Sequence, residues 1–293
     1  MITETHPLPA EYRRRIPAGP VFNRFQQAAQ IENLNTICVS GKCPNRGECF
    51  SRGSLAFMIM GNTCTRHCGF CAVKTGDPDG IVDWKEPERV ARAAATLKLR
   101  HVVVTSVTRD DLADGGASVF AECIRQIREQ SPSSIIEVLT PDLNGDPAAI
   151  DVVLAARPDI FNHNVETVER LTPLTRSKAT YPRSLEVLRY AKARRPAPSM
   201  KIKSGLMLGL GETHDEVDQV LRDLREAGCQ YLTLGQYLQP SPKHLGIQSF
   251  IPLSEFNDWK ERALYLGFER VASGPLVRSS YFADELHQGK ETS

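Results

Sequence analysis

Cysteine is the residue type whose spacing in this chain points most clearly to chemistry. Six of the eight cysteines fall within 34 consecutive residues, and three of them, Cys64, Cys68 and Cys71, form a C-x3-C-x2-C motif. Three thiolates this close together suit one side of a four-iron four-sulfur cluster and leave one iron without a protein ligand. An open coordination position is useful where a small molecule binds to the metal. The two remaining cysteines, Cys123 and Cys229, lie far downstream, where we expect them to be buried small hydrophobes.

A second incomplete triplet precedes this motif. Cys38, Cys43 and Cys49 form a C-x4-C-x5-C pattern in a segment that contains Gly, Pro and Asn, and this pattern predicts a second iron–sulfur cluster. For the Cys64–Cys71 motif the alternatives are a structural zinc site or a redox dithiol, and for the two triplets together the alternative is one shared six-cysteine binuclear zinc cluster. Zinc sites usually pair C-x2-C with a second such pair or with histidines, and His67 is the single histidine nearby.

The elements that must position these cysteines are predicted from hydrophobic periodicity. Short apolar runs alternate with amphipathic stretches from residue 54 onward, which is typical of repeated βα units and a parallel sheet. The predicted strands are 55–60, 101–107, 135–140, 159–164, 201–209 and 231–238. The predicted helices are 87–97, 118–130, 149–156, 184–195, 215–228 and a last one from Ser254. Six parallel strands form either an open doubly wound sheet or an incomplete barrel, and periodicity does not choose between them.

The chain is expected to have three parts. Residues 1–53 are interrupted by Pro and Gly and predict an irregular arm that carries the first triplet, with one short helix near 21–33. Residues 54–268 form the βα region. Residues 269–293 form a C-terminal segment.

Composition excludes several classes of protein. The 293 residues include 36 Lys+Arg and 35 Asp+Glu, and this near-neutral balance argues against a nucleic-acid binder. The longest apolar run, Leu55 to Met60, is too short to span a bilayer, so no membrane segment is expected. The first residues do not follow the order of a secretory signal. We therefore expect a cytoplasmic protein whose thiols stay reduced.

These motifs resemble those of a known family. A C-x3-C-x2-C motif with an aromatic residue, here Phe70, before its last cysteine is similar to that of radical S-adenosylmethionine (SAM) enzymes. The upstream triplet narrows the resemblance to the lipoyl synthase family. The blocks that carry it are 57–71, 105–117, 138–145, 162–167, 203–212, 234–245 and 274–281. One departure is that Val39, Ser40 and Gly41 stand where the family often has Glu-Glu-Ala, while the ligand spacing is kept.

The resemblance implies a fold and a reaction. The fold would be an α/β partial (β/α)6 TIM-like barrel with an N-terminal cluster-binding arm and a C-terminal extension. The cofactors would be two 4Fe-4S clusters and SAM, which the cluster on Cys64, Cys68 and Cys71 binds and cleaves. The reaction would be radical insertion of two sulfur atoms at the sixth and eighth carbons of a protein-bound N6-octanoyl-lysine, giving lipoyl-lysine. The sulfur would come from the auxiliary cluster on Cys38, Cys43 and Cys49.

The resemblance also implies site residues. In the Arg278-Ser279-Ser280-Tyr281 motif, Ser280 is the expected fourth ligand of the auxiliary cluster, with Ser279 as the alternative. The residues expected to contact SAM are Phe70, Gly115, Gly116, Asn162, Asn164, Glu166 and Arg183. Lys203 is a weaker candidate.

The implied partners are proteins. They are the octanoylated lipoyl carrier domains of 2-oxoacid dehydrogenase complexes or the glycine cleavage carrier protein, and a flavodoxin or ferredoxin as reductant; no nucleic acid and no membrane is expected. The basic residues that would meet an acidic carrier are Arg13, Arg14, Arg15, Arg194 and Arg195. The alternatives are another radical SAM sulfur-inserting enzyme, such as a biotin synthase or a methylthiotransferase, and a non-catalytic two-cluster electron carrier.

Overall fold

A parallel sheet with helices packed against it forms the body of the protein in the computed structural model, which describes residues 12, 20–52, 54–281 and 283–288. The strands are β1 (Asn35–Thr36), β2 (Ala56–Ile59), β3 (Thr63–Cys64), β4 (Lys74–Thr75), β5 (His101–Ser106), β6 (Ile135–Leu139), β7 (Ile160–Asn162), β8 (Lys201–Leu208), β9 (Tyr231–Gln236) and β10 (Arg270–Gly274). The helices are α1 (Pro20–Ile31), α2 (Ile37–Ser40), α3 (Arg46–Ser51), α4 (Glu86–Leu97), α5 (Ala117–Gln130), α6 (Pro147–Ala155), α7 (Thr172–Thr175), α8 (Tyr181–Arg194), α9 (His214–Glu226), α10 (Leu253–Tyr265) and α11 (Ala283–Gln288).

The main sheet has the order β1-β2-β5-β6-β7-β8-β9-β10. Every pair from β2 to β10 is parallel, and β1 runs antiparallel to β2. Within the described residues the order is linear, with no ladder that joins β10 back to the first strands. Each parallel strand of the sheet lies beside its predecessor, without the reversal of strand order that marks a doubly wound sheet, so the sheet is a partial barrel, as predicted. All six predicted strands belong to it.

The sheet has one more parallel strand than the sequence predicts. Residues 270–274, expected in the C-terminal segment, form β10 and pair with β9, so that Val271 lies opposite Leu232 and Gly274 opposite Gly235. The run Arg-Val-Ala-Ser-Gly has a single large apolar residue, so it carries no strand pattern of its own. Its position depends on pairing with β9 and on a hydrogen bond of 2.7 Å from the Ser273 hydroxyl to the Phe256 carbonyl on α10.

Helices cover the sheet with their apolar faces. On α5 the buried residues include Val119, Phe120, Ile124 and Ile127, which share one side of the helix because they recur at helical spacing. Cys123 on the same face and Cys229 before β9 are both fully buried, which confirms that they serve as small core residues. No helix of the described residues is both long and apolar enough to cross a bilayer.

The arm is attached to the free edge of β2. Strand β1 pairs with it, with Thr36 opposite Phe57, and the first cysteine triplet follows directly. The arm helix α1 packs Phe22 and Phe25 against Phe50 of α3, at ring-centroid distances of 5.6 and 6.1 Å. This contact joins α1, which precedes the triplet, to α3, which carries its last cysteine. Arg13, Arg14 and Arg15 lie outside the described residues.

Candidate functional site

A cavity of about 490 Å³ opens at the carboxyl ends of the parallel strands. Ser106, the last residue of β5, and Leu139, the last residue of β6, both line it. The triplet cysteines that line it are Cys38, Cys43, Cys64, Cys68 and Cys71. The two triplets, which are separate in sequence, therefore open into one space. A second cavity of about 270 Å³ contains none of these cysteines.

The Cys64–Cys71 triplet lies on a loop whose two ends are paired. Strand β3 carries Cys64 and pairs in parallel with β4, so the cysteine loop is an excursion closed by a short ladder. The Cys64 sulfur accepts hydrogen bonds from the backbone N–H groups of Arg66 (3.4 Å) and Thr108 (3.3 Å). The loop after β9 covers the triplet, since His244 Nε2 lies 3.0 Å from the Cys71 carbonyl oxygen. The loop is thus held from two sides.

Glycine is needed within this motif because the chain approaches it closely. A Cβ at Gly69 would lie 2.9 Å from the Leu245 side chain and 3.3 Å from the Leu174 carbonyl oxygen. The Gly69 N–H donates to the Thr175 carbonyl at 2.9 Å, and the Leu245 N–H donates to the Gly69 carbonyl at 3.0 Å. These two bonds connect the cysteine loop to α7 and to the loop after β9.

Arg66 holds the cysteine loop through buried polar contacts. The sequence analysis did not predict a role for it. Its side chain is 4% exposed, contacts Asp110 and Asp142 at 2.8 Å each, and donates to Asn144 at 2.8 Å. Burial opposes ionisation of both aspartates, but the hydrogen bonds and the charge of Arg66 lower the pKa of each. A three-way contact of this kind fixes the cysteine loop to the loops after β5 and β6.

Burial makes some thiols in each triplet hard to ionise. Burial raises the pKa of Cys71 to about 12, and the neighbouring thiols of Cys68 and Cys64 add to the effect. Burial likewise raises the pKa of Cys38 to about 11, with Cys43 adding to it. A metal deprotonates the thiols that bind it, so buried thiols of this kind suit iron as a partner.

The first triplet is assembled where the arm meets the C-terminal segment. Cys38 lies on α2, Cys49 lies on α3, and Cys49 packs in one apolar cluster with Val277 and Tyr281. Two hydrogen bonds join the segments: Asn45 Nδ2 donates to the Leu276 carbonyl at 2.5 Å, and the Tyr281 hydroxyl donates to Glu48 Oε2 at 3.2 Å. The residues that could ligate a cluster here therefore come from opposite ends of the chain.

The two serines of the C-terminal motif differ in their surroundings. Both line the cavity. The Ser279 hydroxyl accepts a hydrogen bond from Asn164 Nδ2 at 2.5 Å, and the Ser279 carbonyl accepts one from Lys203 Nζ at 2.6 Å. Ser279 is thus engaged with the barrel, which favours Ser280 as the serine available to the arm cysteines.

The ends of three successive parallel strands present buried polar atoms to the cavity. Ser106 Oγ, Thr140 Oγ1 and Asn164 Oδ1 have no hydrogen-bond partner among the described residues, and all three residues line the cavity. Because a buried polar atom without a partner costs free energy, such atoms indicate a polar ligand at this place. The hydroxyl, amine and carboxylate groups of SAM suit these atoms.

Glu166 and Arg176 add opposite charges to the same wall. Glu166 has a φ of 69°, an uncommon backbone conformation for a non-glycine residue, and burial raises the pKa of its carboxyl. Arg176, which sequence reasoning missed, is 9% exposed and donates to Ser184 Oγ at 2.6 Å. The described residues place no carboxylate within ion-pair distance of it. A buried guanidinium that faces a cavity in this way is suited to bind a ligand carboxylate.

Phe70, Asn164 and Glu166 line the cavity, whereas the other predicted SAM contacts do not, and contact of these three with SAM stays a prediction. Gly115 and Gly116 have φ values of 61° and 89° and form the turn into α5, where a Cβ at Gly116 would collide with Met60. Their contact with SAM stays a prediction.

Two further predicted contacts lie away from the lining. Asn162 is fully buried and donates to Glu137 Oε1 at 2.8 Å inside the barrel. Arg183, at the start of α8, lies 3.3 Å from Asp142. Their contacts with SAM also stay predictions.

The donor sets consist of cysteine thiols, which are the usual ligands of iron–sulfur clusters. Among the described residues, no three Cys, His, Asp or Glu side chains converge closely enough to hold one metal ion. The cysteines of a cubane cluster bind different irons and are held apart by it, whereas zinc ligands converge on one point. Five of the six triplet cysteines line the cavity of about 490 Å³, so this donor set fits clusters.

Known proteins with similar sequences are radical SAM enzymes and lipoyl synthases. Residues 58–224 match the family model described as the radical SAM superfamily. A lipoyl synthase of Rubrobacter xylanophilus is 51% identical over 280 residues, which cover 96% of this chain and 86% of the relative. A lipoyl synthase of Symbiobacterium thermophilum is 54% identical over 90% of this chain and 82% of its own length. A mitochondrial lipoyl synthase of Nematostella vectensis is 48% identical over 95% of this chain and 94% of its own length.

Solved structures share the fold at low sequence identity. Methylornithine synthase superposes with a TM-score of 0.57 at 12% identity, over 90% of this chain and 82% of its own. SuiB of Streptococcus suis bound to S-adenosylmethionine has a TM-score of 0.52 at 12% identity, over 76% of this chain and 51% of its own. These similarities support the partial-barrel fold.

Proposed function

The chain belongs to the lipoyl synthase family within the radical SAM superfamily, and we propose from this premise how its residues carry out the reaction. The reaction is the insertion of two sulfur atoms, at the sixth and eighth carbons of a protein-bound N6-octanoyl-lysine, to give lipoyl-lysine. The observation that carries the proposal is that one cavity is lined by cysteines of both triplets and by the C-terminal serines. The arm (1–53), the barrel (54–268) and the C-terminal segment (269–293) each contribute to it.

Each triplet would hold one 4Fe-4S cluster. Cys64, Cys68 and Cys71 would hold the first and leave one iron open. The residues that would hold the second are Cys38, Cys43, Cys49 and Ser280. When bound, the first cluster supplies the electron that cleaves SAM and the second supplies the sulfur.

The polar wall would bind and orient SAM. Arg176 would pair with its carboxylate, because a buried guanidinium without a carboxylate partner gains a charge-assisted hydrogen bond there. Ser106, Thr140 and Asn164 would satisfy their unpaired atoms on its remaining polar groups. Glu166, held by its backbone conformation at the same wall, would accept from hydroxyl groups. Orientation of this kind brings reacting atoms together before the chemical step.

The apolar wall would hold the octanoyl chain and exclude water. The apolar side chains that line the cavity include Phe70, Val107, Leu206, Leu238 and Val277. An eight-carbon chain gains burial free energy against such a surface. Excluding water from the cavity also protects a reactive radical from side reactions.

The partners and location are proposed on chemical grounds. The acyl group would arrive on a lipoyl carrier domain, either of a 2-oxoacid dehydrogenase complex or of the glycine cleavage system, and a flavodoxin or ferredoxin would supply electrons. Of the basic residues considered for carrier docking, Arg194 lies on α8 and pairs with Asp151 at 3.3 Å. We propose a cytoplasmic location, because all eight cysteines are free thiols and cluster ligands must stay reduced.

The test is anaerobic reconstitution with iron and sulfide, followed by SAM, dithionite and an octanoyl-lysine peptide. Mass spectrometry should show the gain of two sulfur atoms. Ser280→Ala should still form 5′-deoxyadenosine but give no lipoyl product, while Ser279→Ala, which loses only the hydroxyl bonded to Asn164, should retain product formation. Full lipoyl product from Ser280→Ala would remove its assignment as a ligand. No sulfur gain by the unaltered protein would refute the function.

A further inference from the structure

A buried ion pair lies inside the barrel and is not explained by SAM or acyl binding. Lys203 Nζ on β8 lies 2.8 Å from Glu137 Oε1 on β6, and both side chains are 1% exposed. Although burial opposes ionisation, the charge of Lys203 holds the pKa of Glu137 at about 2. Barrel interiors are usually filled by branched aliphatic residues, and a buried ion pair often gives no more stability than such residues do. Its presence therefore points to a task other than stability.

The remaining contacts of Glu137 leave the lysine fixed in place. Asn162 Nδ2 donates to Glu137 Oε1 at 2.8 Å, and His101 Nε2 lies 3.1 Å from Glu137 Oε2. Both carboxylate oxygens are thus occupied by barrel residues. A carboxylate held this firmly gives the Lys203 ammonium one preferred position.

Lys203 uses that position to bind the C-terminal segment. Its Nζ donates to the Ser279 carbonyl oxygen at 2.6 Å. The Ser279 carbonyl and the Ser280 N–H belong to the same planar peptide unit, so a bond to the carbonyl fixes the orientation of the backbone entering Ser280. The nearest covalent neighbour of the proposed iron ligand is therefore anchored by a charge in the barrel.

We propose that Lys203, held by Glu137, is a positioning residue that directs the Ser280 hydroxyl toward the arm cysteines. This inference rests on the proposed role of Ser280 as a ligand of the auxiliary cluster. It differs from a general stabilising role because it predicts a change at one iron, whatever the stability of the fold. The Asn164 bond to the Ser279 hydroxyl acts on the side chain and does not replace the backbone anchor.

The test observes that iron directly. The full-length chain would carry alanine at the three cysteines of the first cluster, so that only the auxiliary cluster binds. After anaerobic loading with ⁵⁷Fe, Mössbauer spectroscopy distinguishes an oxygen-ligated iron from thiolate-ligated irons. In this background Ser280→Ala should lose the oxygen-ligated signal. Lys203→Met should lose it as well, while the content of bound iron stays close to that of the parent.

Two further variants separate positioning from folding. Lys203→Met leaves Glu137 with an uncompensated buried charge, so the double variant Lys203→Met/Glu137→Gln removes both charges and should show the same loss in a folded chain. Lys201→Met is the matched control, because Lys201 is the first residue of the same strand, is more exposed than Lys203 and pairs with Glu269 at 2.6 Å. It should keep the oxygen-ligated signal.

The outcomes distinguish this inference from the proposed function. If Ser280→Ala leaves the spectrum unchanged, the serine ligand is wrong and the positioning role fails with it. If Ser280→Ala removes the signal but both Lys203 variants retain it, the ligand assignment holds and only the positioning role is refuted. Loss of the signal in the Lys203 variants and its retention in Lys201→Met supports the inference.

Discussion

Replacing Gly235 by alanine should uncouple sulfur insertion from SAM cleavage. Gly235 lies on β9 where the C-terminal segment crosses it, and a Cβ there would stand 3.0 Å from the Val277 carbonyl carbon and closer still to its oxygen. Ordinary carbon–carbon contacts lie at about 3.5–4.0 Å, so the segment has to move away by at least about 0.5 Å. Because the obstacle is backbone rather than the end of a flexible side chain, the displacement passes along the chain toward Ser280.

The expected cost follows from this overlap. Overpacking a filled site costs about 1–3 kcal/mol, and a cost of about 1–2 kcal/mol changes an equilibrium by a factor of roughly 5–30. If the cost falls on docking of the segment, the docked fraction decreases by that factor. Among the described residues no hydrogen bond joins the Cys64–Cys71 loop to residues 275–280, so the chain should still cleave SAM.

Gly274 provides a matched control, because it lies opposite Gly235 in the ladder between β9 and β10. A Cβ at Gly274 would lie 3.5 Å from the Val277 side chain, which is an ordinary contact. The assay compares 5′-deoxyadenosine with lipoyl product for each variant. Gly235→Ala should lower the product formed per cleavage event at least fivefold, and Gly274→Ala should leave it unchanged. Equal ratios for the two variants would refute the reasoning.

Three other changes have outcomes that the structure sets. Arg176→Met should weaken equilibrium binding of SAM to the reconstituted protein by roughly 10–100-fold, since a hydrogen bond to a charged group contributes about 1.5–3 kcal/mol. The control Arg170→Met, at an exposed arginine, should leave SAM binding unchanged. Unchanged binding in Arg176→Met would exclude Arg176 from the carboxylate site. Arg66→Lys should lower the free energy of unfolding in urea by about 1–3 kcal/mol because its fork of buried bonds is lost. Arg92→Lys, in an exposed pair, should change this free energy much less. Burial lowers the pKa of His163 from 6.5 to about 4, so the unfolded chain takes up a proton below about pH 6.5 that the folded chain refuses until about pH 4. The free energy of unfolding should therefore decrease by about 3 kcal/mol as the pH is lowered from about 6.5 to about 4. His163→Gln should remove this part of the pH dependence of stability, and an identical pH dependence in both proteins would contradict the prediction.

The fold could be predicted from sequence where burial leaves a pattern. The apolar runs 101–107 and 135–140 became β5 and β6 within a residue or two, because strands buried on both faces are continuously apolar. Strand β10 could not be found in this way, because its stability comes from its neighbour β9 rather than from its own residues. The seventh parallel strand therefore depends on tertiary context.

Site residues could be predicted from sequence where the residue type and its spacing indicate the chemistry. They could not be predicted where their role depends on burial. Cysteine spacing singled out both triplets as candidate ligands, and cysteines of both triplets line one cavity. Arg66 and Arg176 could not be singled out, because surface arginines are common and only the structure shows that these two are buried. Lys203 was considered as a SAM contact, whereas the structure places it in the barrel interior, bonded to Ser279. No sequence pattern distinguishes those two positions.

The two candidate cluster sites differ in how much of the chain must fold before they exist. The Cys64–Cys71 triplet is local, and its loop is closed by the short ladder between β3 and β4. The other site requires two contacts between distant parts of the chain. Asn45 bonds to Leu276, with a sequence separation of 231, and Tyr281 bonds to Glu48, with a sequence separation of 233. Contacts of such sequence separation form only after the intervening chain is ordered, because closing a long loop costs entropy that later contacts must offset. A site built from the N-terminal arm and the C-terminal segment is thus complete only in the folded molecule. The bond from Lys203 to the Ser279 carbonyl oxygen makes this site depend on the folded barrel interior as well.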